Sequence, residues 1–372
     1  MVDNITYVGL DTHKATITVA VAASGRTGEL RHWGKIANDP AAVERMTRKL
    51  EKAHGRLRFS YEAGPCGYGL YRQLSGLGHE CIVAAPSLIP RAPGDRVQTD
   101  RLDAINLARS DRAGDLTAIW VPDAAHEAIR DLVRGREVAV VAVKRARQQL
   151  LGFLLRQGRA YLGKTHWTQA HRRWLAELVF EHAAHQILFQ EMLEAVKESE
   201  ARRDRLSEQI GCLMAQWDRA PVATALTALR GIAQLSAATL VAEIGDFRRF
   251  ATPRQLMGFL GQVPSEGSTG ERVRRGPLTR AGNARARRII TEAAWSYLHT
   301  PRIGPALTQR QETLPKAVRD IAWKAQLRLT KRFRHLLARG KSKPLAVSAV
   351  ARELIGFIWA IGCHAEQQAT TH

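Results

Sequence analysis

Cysteines, acidic residues and long apolar runs are all scarce in this sequence. Four cysteines are spread over 372 residues without a Cys-x-x-Cys pair, which argues against a zinc finger or a disulfide framework and predicts a reducing, cytoplasmic location. No basic segment followed by an apolar core stands at the N-terminus, so no signal peptide is expected. The best candidate for a membrane span, residues 354–363, has about half the length that a bilayer requires. No membrane association is therefore predicted.

The shortage of acids leaves a large positive charge. Against 35 Asp and Glu there are 56 Lys and Arg, which gives a formal net charge of +21. Such an excess favours a polyanionic partner, because basic side chains that neutralise phosphates release condensed counterions. Arginine-rich stretches dominate the second half, so a nucleic-acid surface is expected there. On charge alone, a basic protein without a specific partner stays the alternative.

The pattern of the chain changes twice, which predicts two or three domains for a chain of this length. Residues 1–123 alternate short apolar strands with helices and predict an α/β domain. Residues 124–220 contain long helical runs at 127–159 and 174–214, which predict two antiparallel helices forming a coiled coil. Residues 221–372 predict a mainly α-helical domain.

Within the first region, apolar runs separated by turn residues predict the individual elements. A helix should begin after Asp39, which is a suitable N-cap before Pro40, and another after Thr99. A loop is expected at 86–97, where three prolines and a glycine cluster. The predicted strands are 5–10, 16–22, 29–36, 57–61, 81–85 and 117–121.

Four carboxylates of this region occupy positions that suit metal-dependent chemistry. Asp11 and Glu62 stand at the C-terminal ends of predicted strands, and Asp100 and Asp103 lie three apart at a helix start, so both project from one face. Magnesium and manganese prefer hard oxygen ligands, and phosphoryl transfer is well served by two such ions about 3.5–4 Å apart. Acids in a first helical turn are also favourable without a metal, so each acid taken singly admits a structural role. All four together in a basic protein favour a metal site acting on nucleic acid.

The third region opens with a helix, a glycine turn and a second helix, at 226–233 and 236–244. This pattern is typical of a helix-hairpin-helix, whose turn presents backbone N–H groups to a nucleic-acid phosphate. An ordinary helical hairpin that ends in a glycine cap has the same pattern. Both interpretations stay open from spacing alone.

A loop rich in glycine and hydroxyl residues follows at 258–272 and contains Ser268. Its hydroxyl could attack a phosphodiester while nearby arginines hold the phosphate. From the residues alone, a flexible loop that only binds backbone phosphates is the simpler interpretation. The predicted nucleic-acid contacts after the serine are Arg272, Arg274, Arg275, Arg280, Asn283, Arg285, Arg287 and Arg288.

The motifs together resemble those of the DEDD transposases of bacterial insertion sequences, the family related to the Piv invertase. The second half is similar to the second domain of the same family at 229–232, 243–247, 263–266 and 281–285, so the resemblance extends over nearly the whole chain. The N-terminal motifs that carry it are Gly9-Leu10-Asp11-Thr12-His13-Lys14, Tyr61-Glu62-Ala63-Gly64-Pro65 and Thr99-Asp100-Arg101-Leu102-Asp103-Ala104.

The resemblance implies an N-terminal domain with an RNase H-like fold, similar to the RuvC junction resolvase, in which Asp11, Glu62, Asp100 and Asp103 bind Mg²⁺ or Mn²⁺. It also implies a serine nucleophile that forms a 5′-phosphoserine link with DNA. A guide RNA encoded by the element would recognise donor and target DNA. Assembly as a homodimer or homotetramer, with sites shared between subunits, is implied as well.

The serine loop departs from many relatives, which have Ser-Ser-Gly or Gln-Ser-Gly where this chain has Ser268-Thr269-Gly270. A nucleophile directly before the glycine would be Thr269, a hindered secondary alcohol, so Ser268 is the predicted nucleophile. Three other hypotheses remain. They are a hydrolytic junction nuclease that uses the acids alone, a non-catalytic nucleic-acid-binding protein, and an actin-like sugar kinase, whose fold also opens with a strand ending in Gly-x-Asp.

Overall fold

The structure is a computed structural model, and it describes residues 5–25, 27–90, 99–269 and 272–370. The chain divides into two compact units, 1–121 and 122–372. The finer division of the second unit at residue 220 stays a prediction. Most of the predicted loop at 86–97 and two residues of the serine loop, Gly270 and Glu271, lie outside the described residues.

The first unit is built on a mixed five-stranded sheet with helices, which confirms the predicted α/β domain. Its strand order is β3-β2-β1-β4-β5. Strand β2 is antiparallel to both β1 and β3, whereas β4 is parallel to both β1 and β5. The strands are β1 (Thr6–Thr12), β2 (Thr16–Ala22), β3 (Leu30–Ala37), β4 (Leu57–Glu62) and β5 (Glu80–Ala84).

Three α-helices accompany this sheet, and two of them begin at the predicted caps. The Asp39 carboxylate accepts a hydrogen bond from the Ala42 N–H at 2.8 Å, and the Thr99 hydroxyl accepts one from the Leu102 N–H at 3.3 Å. These bonds satisfy N–H groups that a helix start leaves without partners. The helices are α1 (Pro40–His54), α2 (Gly69–Gly76) and α3 (Asp100–Ala113), and a 3₁₀ turn covers Pro86–Leu88.

The prediction of a strand at 117–121 is wrong. Only Ala118 forms an isolated antiparallel bridge, with Ala84, flanked by backbone bonds such as Ile119 N–H to Val83 O at 2.8 Å. The segment carries the alternating apolar residues of a strand. Its pairing with the sheet is too short to make it one.

Alternate residues of β1 face opposite sides of the sheet. Val8 and Leu10 are fully buried in a cluster that includes Met46 of α1. Gly9 faces the other side, where an added Cβ would meet the Ala104 carbonyl oxygen of α3 at 2.2 Å and the Ala108 nitrogen at 2.5 Å. Helix α3 therefore crosses directly over Gly9, at a distance that leaves no room for a side chain.

The contact between α3 and the sheet is made of small residues. Ala20 and Ala22 of β2 form a buried cluster with Ala104 and Ala108 of α3. Because these side chains are short, the helix lies close to the strands. The N-terminal turn of α3 is thereby brought to the edge of the sheet at which β1 ends.

The second unit begins with two long antiparallel helices, as predicted. They are α4 (Ala124–Arg156) and α6 (Ala183–Met214). Arg136 Nε donates to Ser207 Oγ at 2.8 Å, and Arg147 Nε donates to Glu200 Oε1 at 3.1 Å. The later residue of α4, Arg147, contacts the earlier residue of α6, Glu200, so the two helices are antiparallel.

The predicted continuous helix at 174–214 is wrong at its start. A separate short helix, α5 (Gln169–Glu177), ends before residues 178–182, and α6 begins only at Ala183. His171 of α5 is fully buried, and its Nδ1 accepts the Trp167 N–H at 3.0 Å. Aromatic packing around His171 therefore holds α5 as a separate helix, although the composition of residues 174–214 is helical throughout.

The rest of the second unit is mainly helical around one apolar core. The last helix packs into that core through residues such as Leu354 and Ile358. It is long and apolar enough to cross a membrane, and half of its most apolar stretch is buried. The elements are α7 (Ala220–Leu226), α8 (Gln234–Ile244), α9 (Pro253–Phe259), β6 (Pro264–Glu266), β7 (Arg275–Leu278), α10 (Ala284–Ala294), α11 (Pro305–Gln311), α12 (Lys316–Ala338) and α13 (Lys343–Thr370), with a 3₁₀ turn at Trp295–Leu298.

Candidate functional site

Asp11 lies near the end of β1, on the face of the sheet that α3 covers. It shares this face with Gly9, because residues two apart in a strand project to the same side. Asp11 is paired with Thr18 of β2, and Thr18 is paired with Lys35 of β3. Directly opposed residues of antiparallel strands project to the same face. The sheet thus places Asp11 and Lys35 on one surface.

Two further side chains meet Asp11 there. His13 Nε2 lies 3.1 Å from Asp11 Oδ2 and 3.4 Å from Asp100 Oδ1. Lys35 Nζ donates to Asp100 Oδ2 at 3.1 Å. One ligand atom each from Asp11, His13 and Asp100 lies within 4.8 Å of the others. Two acids that the sequence separates widely are therefore brought to one point.

The two carboxyl groups have different electrostatic surroundings. Partial burial raises the pKa of Asp11 above its usual value, and the charges of Asp100 and Asp103 raise it further, against the opposing effect of His13. The hydrogen bond from Lys35 lowers the pKa of Asp100. Mutual repulsion and burial make Asp11 a group that gains from a nearby cation.

Glu62 and Asp103 lie at the periphery of this cluster. Leu10 of β1 is the parallel partner of Tyr61 of β4. Asp11 and Glu62 each follow one of these partners, so their side chains project to the same face of the sheet. Glu62 is exposed, and Asp103 is half-buried in the first turn of α3. Neither belongs to the three groups within 4.8 Å among the described residues. The structure thus brings together two of the four predicted acids, and it places Glu62 on the neighbouring strand β4 and Asp103 in the same helical turn as Asp100.

This donor set is suited to a divalent cation. Asp11 and Asp100 offer hard carboxylate oxygens, and the imidazole of His13 adds a nitrogen that manganese accepts more readily than magnesium. The Lys35 ammonium already occupies a position beside Asp100 to which a cation is attracted. The first unit therefore holds a possible acidic metal site.

Ser268 lies close to the tip of a β-hairpin, whereas the sequence suggested an irregular loop. Strands β6 and β7 pair antiparallel, and Thr269 and Arg272 exchange two backbone hydrogen bonds of 3.2 Å nearer the tip. The Ser268 hydroxyl donates to Glu266 Oε1 at 2.8 Å and accepts the Arg274 N–H at 3.2 Å. Its side chain is exposed and accessible to a large substrate.

The predicted nucleic-acid contacts fall into two groups. Arg272, Arg274, Arg275 and Arg280 are exposed, and none forms a salt bridge with a carboxylate of the described residues. Exposed guanidinium groups of this kind remain available to phosphates.

The arginines of α10 have protein partners. Arg285 and Arg288 both pair with Glu137 of α4, at 2.5 and 2.9 Å, and Arg287 donates to the Leu260 carbonyl oxygen at 2.9 Å. These bonds fix α10 against its surroundings. A role of these three arginines in binding DNA stays a prediction.

Asn283 has a structural position that its sequence does not reveal. Its Oδ1 caps α10 by accepting the N–H groups of Arg285 and Ala286, and its Nδ2 donates to Glu243 Oε2 at 2.6 Å. Glu243 is buried and also receives two bonds from Arg134, at 2.7 and 2.8 Å. Burial alone would raise the pKa of Glu243, but these hydrogen bonds lower it instead.

The glycine of the predicted helix-hairpin-helix has a packing role. Gly231 adopts a φ of 85°, and an added Cβ would meet the Ala293 carbonyl oxygen at 2.6 Å. The turn between α7 and α8 therefore packs against α10. Whether its N–H groups bind a phosphate stays a prediction.

Sequence reasoning did not assign roles to His13, Lys35 or Glu266. His13 stands two residues after Asp11, and Glu266 stands two residues before Ser268. Residues two apart in an extended segment project to the same side, so this spacing could have indicated both contacts. Lys35 reaches the site only through the register of three strands. No local pattern in the sequence indicates it.

Known proteins with similar sequences are transposases. Residues 223–308 match the family described as "Transposase IS116/IS110/IS902 family", and residues 8–157 match a DEDD transposase domain of the IS110 type. The "Putative transposase y4qE" of Sinorhizobium fredii is 51% identical over 361 residues, covering 97% of this chain and 89% of the relative. The "Transposase for insertion sequence element IS1533" of Leptospira borgpetersenii is 32% identical, covering 90% and 97%.

These similarities define the class first: the protein is a transposase, an enzyme that acts on DNA. The chain belongs to the IS110/IS116 family of insertion-sequence transposases. Both halves of the chain match the family, so the acidic cluster and the serine hairpin lie within its two characteristic regions.

Proposed function

We propose that this transposase cuts and exchanges DNA strands with an acidic metal site in the first unit and a serine in the second. The observation that carries the proposal is the approach of Asp11 and Asp100, whose ligand atoms lie within 4.8 Å of each other. Carboxylates repel one another, so such an approach is costly unless a cation joins them. His13 and Lys35 moderate the repulsion in the protein alone.

The first unit is proposed to be an RNase H-like domain, similar to RuvC. Three antiparallel strands followed by two parallel ones, in the order β3-β2-β1-β4-β5, support this assignment. The position of the acids supports it too, since Asp11 lies on the central strand and Asp100 on the helix that crosses it. The similarity concerns topology, and the function is argued from the side chains.

Asp11, Glu62, Asp100 and Asp103 are the proposed metal ligands, with Mg²⁺ or Mn²⁺ as the ion. A bound divalent ion would supply Lewis-acid stabilisation of charge on the phosphoryl oxygens. The protein itself orients Asp11 by partly burying it beside α3. It holds Asp100 through Lys35 until substrate and ion arrive.

Ser268 is the proposed nucleophile. Its hydroxyl is exposed on the hairpin, and Arg272, Arg274 and Arg275 follow within the same hairpin. Attack of the serine oxygen on phosphorus would form a phosphoserine bond to the 5′ side and release a 3′ hydroxyl. Such a bond conserves the energy of the phosphodiester, so strands can be rejoined to new partners. Thr269 is the alternative nucleophile.

The proposed partners are donor and target DNA, with an element-encoded RNA as the guide. The net charge of +21 supports polyanionic partners, and RNA guidance rests on the family resemblance. Assembly as a homodimer or homotetramer is proposed through the long helices. Val138 and Val141 are more than half exposed on α4, and exposed apolar side chains of this kind favour association. The cytoplasm is the proposed compartment.

A covalent-adduct assay tests the chemistry. The full-length protein, co-purified with the RNA expressed from its flanking DNA, is incubated with Mg²⁺ and a supercoiled plasmid that carries its gene and flanking DNA, then denatured and analysed for DNA-linked protein. We expect an adduct with the wild type, none with Ser268→Ala, and a strongly reduced yield with Asp11→Asn. Asp115→Asn, at an exposed carboxylate of the same unit, is the matched control and should behave as the wild type.

Other results would redirect the proposal. Cleavage without an adduct would indicate a hydrolytic nuclease that uses the acids alone. An adduct that survives in Ser268→Ala but is lost in Thr269→Ala would transfer the nucleophile to Thr269. Recombination unchanged by Asp11→Asn together with Glu62→Gln would contradict the metal site.

RNA guidance has a separate test. The protein is expressed from a plasmid with its flanking DNA and purified, and its nucleic acid is sequenced. We expect an RNA from the flanking segment, whose removal by ribonuclease abolishes strand exchange and whose return restores it. Full activity after ribonuclease treatment would contradict guidance and leave the proposed chemistry unaffected.

A further inference from the structure

The hydroxyl of Ser268 has a carboxylate as its hydrogen-bond acceptor. Ser268 Oγ donates to Glu266 Oε1 at 2.8 Å, while the Arg274 N–H donates to the same Oγ at 3.2 Å. A hydroxyl has one hydrogen and two lone pairs. The hydrogen is thus directed at a base, one lone pair is held by the backbone, and the other is free for bond formation.

The hairpin enforces this contact. Glu266 is paired with Arg275, and the Gly267 N–H donates to the Arg274 carbonyl oxygen at 2.9 Å, so residues 266–268 are extended. Residues two apart in an extended chain project to the same side. Glu266 and Ser268 therefore share one face of the hairpin, and Thr269 projects from the other.

The geometry separates the two candidate nucleophiles. Only Ser268 has a carboxylate within hydrogen-bond reach of its hydroxyl among the described residues. A nucleophile bonded to an adjacent base is the arrangement that activates a hydroxyl. Thr269 uses its backbone to close the hairpin with Arg272, which gives it a structural role.

We propose that Glu266 is the general base that activates Ser268, an inference that rests on the proposed serine chemistry. The Glu266 carboxylate takes the proton from Ser268 Oγ as that oxygen forms its bond to phosphorus. The bond from phosphorus to the 3′ oxygen breaks, and the 3′ oxygen leaves with the electron pair and takes a proton from water.

The same group serves the rejoining step. A 3′ hydroxyl attacks the phosphoserine and loses its proton to water, the bond from phosphorus to Ser268 Oγ breaks, and protonated Glu266 returns its proton to that oxygen. One residue thus acts as base in cleavage and as acid in rejoining, as microscopic reversibility requires. No oxidant or cofactor enters the balance.

A purely structural role for the Glu266 carboxylate is less consistent with its surroundings. The hairpin is already closed by backbone bonds on both sides of Ser268, and Ser265 Oγ adds a bond to the Pro277 carbonyl oxygen at 3.0 Å. Glu266 forms no salt bridge within the described residues, although its pairing partner is Arg275. Its carboxylate instead accepts a bond from the serine.

The test is a series of Glu266 variants in the adduct assay with the same plasmid, measured as single-turnover rates. Glu266→Gln retains an acceptor for the serine but no base, and we expect its rate to fall by about 10²–10⁴-fold. Glu266→Ala should be equally slow and should be accelerated by added sodium formate, whereas Glu266→Gln should not. Formate rescue reports a missing base, which a structural role would not produce.

Two controls accompany the series. Glu312→Gln changes an exposed carboxylate of the same unit and should retain the wild-type rate. Binding of the plasmid by each variant, measured by mobility shift, should be unchanged, which excludes misfolding as the cause of a slow rate.

Each remaining outcome overturns the inference. A wild-type adduct rate in Glu266→Gln would show that Glu266 is not the base, while the serine chemistry would stand. An adduct lost in Thr269→Ala and retained in Ser268→Ala would overturn it by moving the nucleophile. The absence of any adduct with the wild-type protein would remove the serine chemistry and this inference together.

Discussion

Lys35 Nζ lies 3.1 Å from Asp100 Oδ2 and links β3 to the first turn of α3. Both side chains are about half exposed, so the ion pair adds little to stability. Its consequence is electrostatic, because the ammonium lowers the pKa of Asp100 and competes with any other cation for that carboxylate.

Replacing Lys35 should therefore strengthen metal binding. We expect Lys35→Met to bind Mn²⁺ severalfold more tightly than the wild type, because Asp100 no longer has a competing positive partner. Titration of free Mn²⁺ followed by electron paramagnetic resonance measures the affinity. Lys49→Met, at an exposed lysine of α1, is the control and should leave it unchanged. Weaker binding in Lys35→Met would show that Lys35 supports the site instead of competing with the ion.

Gly9 should tolerate no side chain. In Gly9→Ala the Cβ would lie 2.2 Å from the Ala104 carbonyl oxygen, so α3 must shift and carry Asp100 with it. We expect a loss of about 2 kcal/mol or more in the free energy of unfolding, as for overpacked cores, together with weaker Mn²⁺ binding. Denaturant unfolding measures the first effect.

Gly76→Ala supplies the comparison for that variant. An added Cβ at Gly76, the last residue of α2, meets nothing within 4 Å. We expect stability to stay within about 1 kcal/mol of the wild type, since alanine is the better helix former. Equal effects of the two substitutions would contradict the close approach of α3 to β1.

Asn283 should stabilise the protein through two separate interactions, the cap of α10 and the hydrogen bond to Glu243. Asn283→Ala removes the cap of α10 and one bond to buried Glu243, and we expect a cost of about 2–3 kcal/mol. Asn283→Ser retains a capping oxygen but is too short to reach Glu243, so it should cost less. Thermal unfolding of both variants measures the difference. Identical losses would mean that the cap contributes nothing.

Asp111 should make the first unit less stable as the pH rises. Burial raises the pKa of Asp111 to about 6, although Arg58 opposes the shift. Arg58 Nε lies 3.1 Å from Asp111 Oδ1, but neither this nitrogen nor the two carboxylate oxygens of Asp111 form a hydrogen bond among the described residues. The folded protein therefore favours the protonated acid.

The pKa of Asp111 is higher in the folded than in the unfolded protein, so stability falls as the pH rises. The contribution of protonated Asp111 is complete below its unfolded value near 3.9 and is lost as the pH rises through about 6. Relative to Asp111→Asn, the wild type should lose roughly 2–3 kcal/mol between pH 4 and pH 7. Unfolding of both proteins across this range measures the difference. A constant difference would contradict the raised pKa.

Local patterns of the sequence determined most of the secondary structure. Asp39 and Thr99 cap helices as predicted, because a short polar side chain before a helix satisfies its free N–H groups. The strand at 117–121 failed, since a strand needs a partner and pairing is a property of the whole sheet. The helix at 174–214 failed because burial of His171 and the rings around it outweighed helical propensity.

The candidate site divides in the same way. The sequence by itself determined which acids and which serine could carry the chemistry, because Asp11 stands at a strand end and Asp100 at a helix start. Only the tertiary structure decided that these two acids meet, through the absence of a side chain at Gly9, and that Lys35 joins them through strand register. It also gave Ser268 a carboxylate partner, since hairpin pairing selects the face to which each hydroxyl projects.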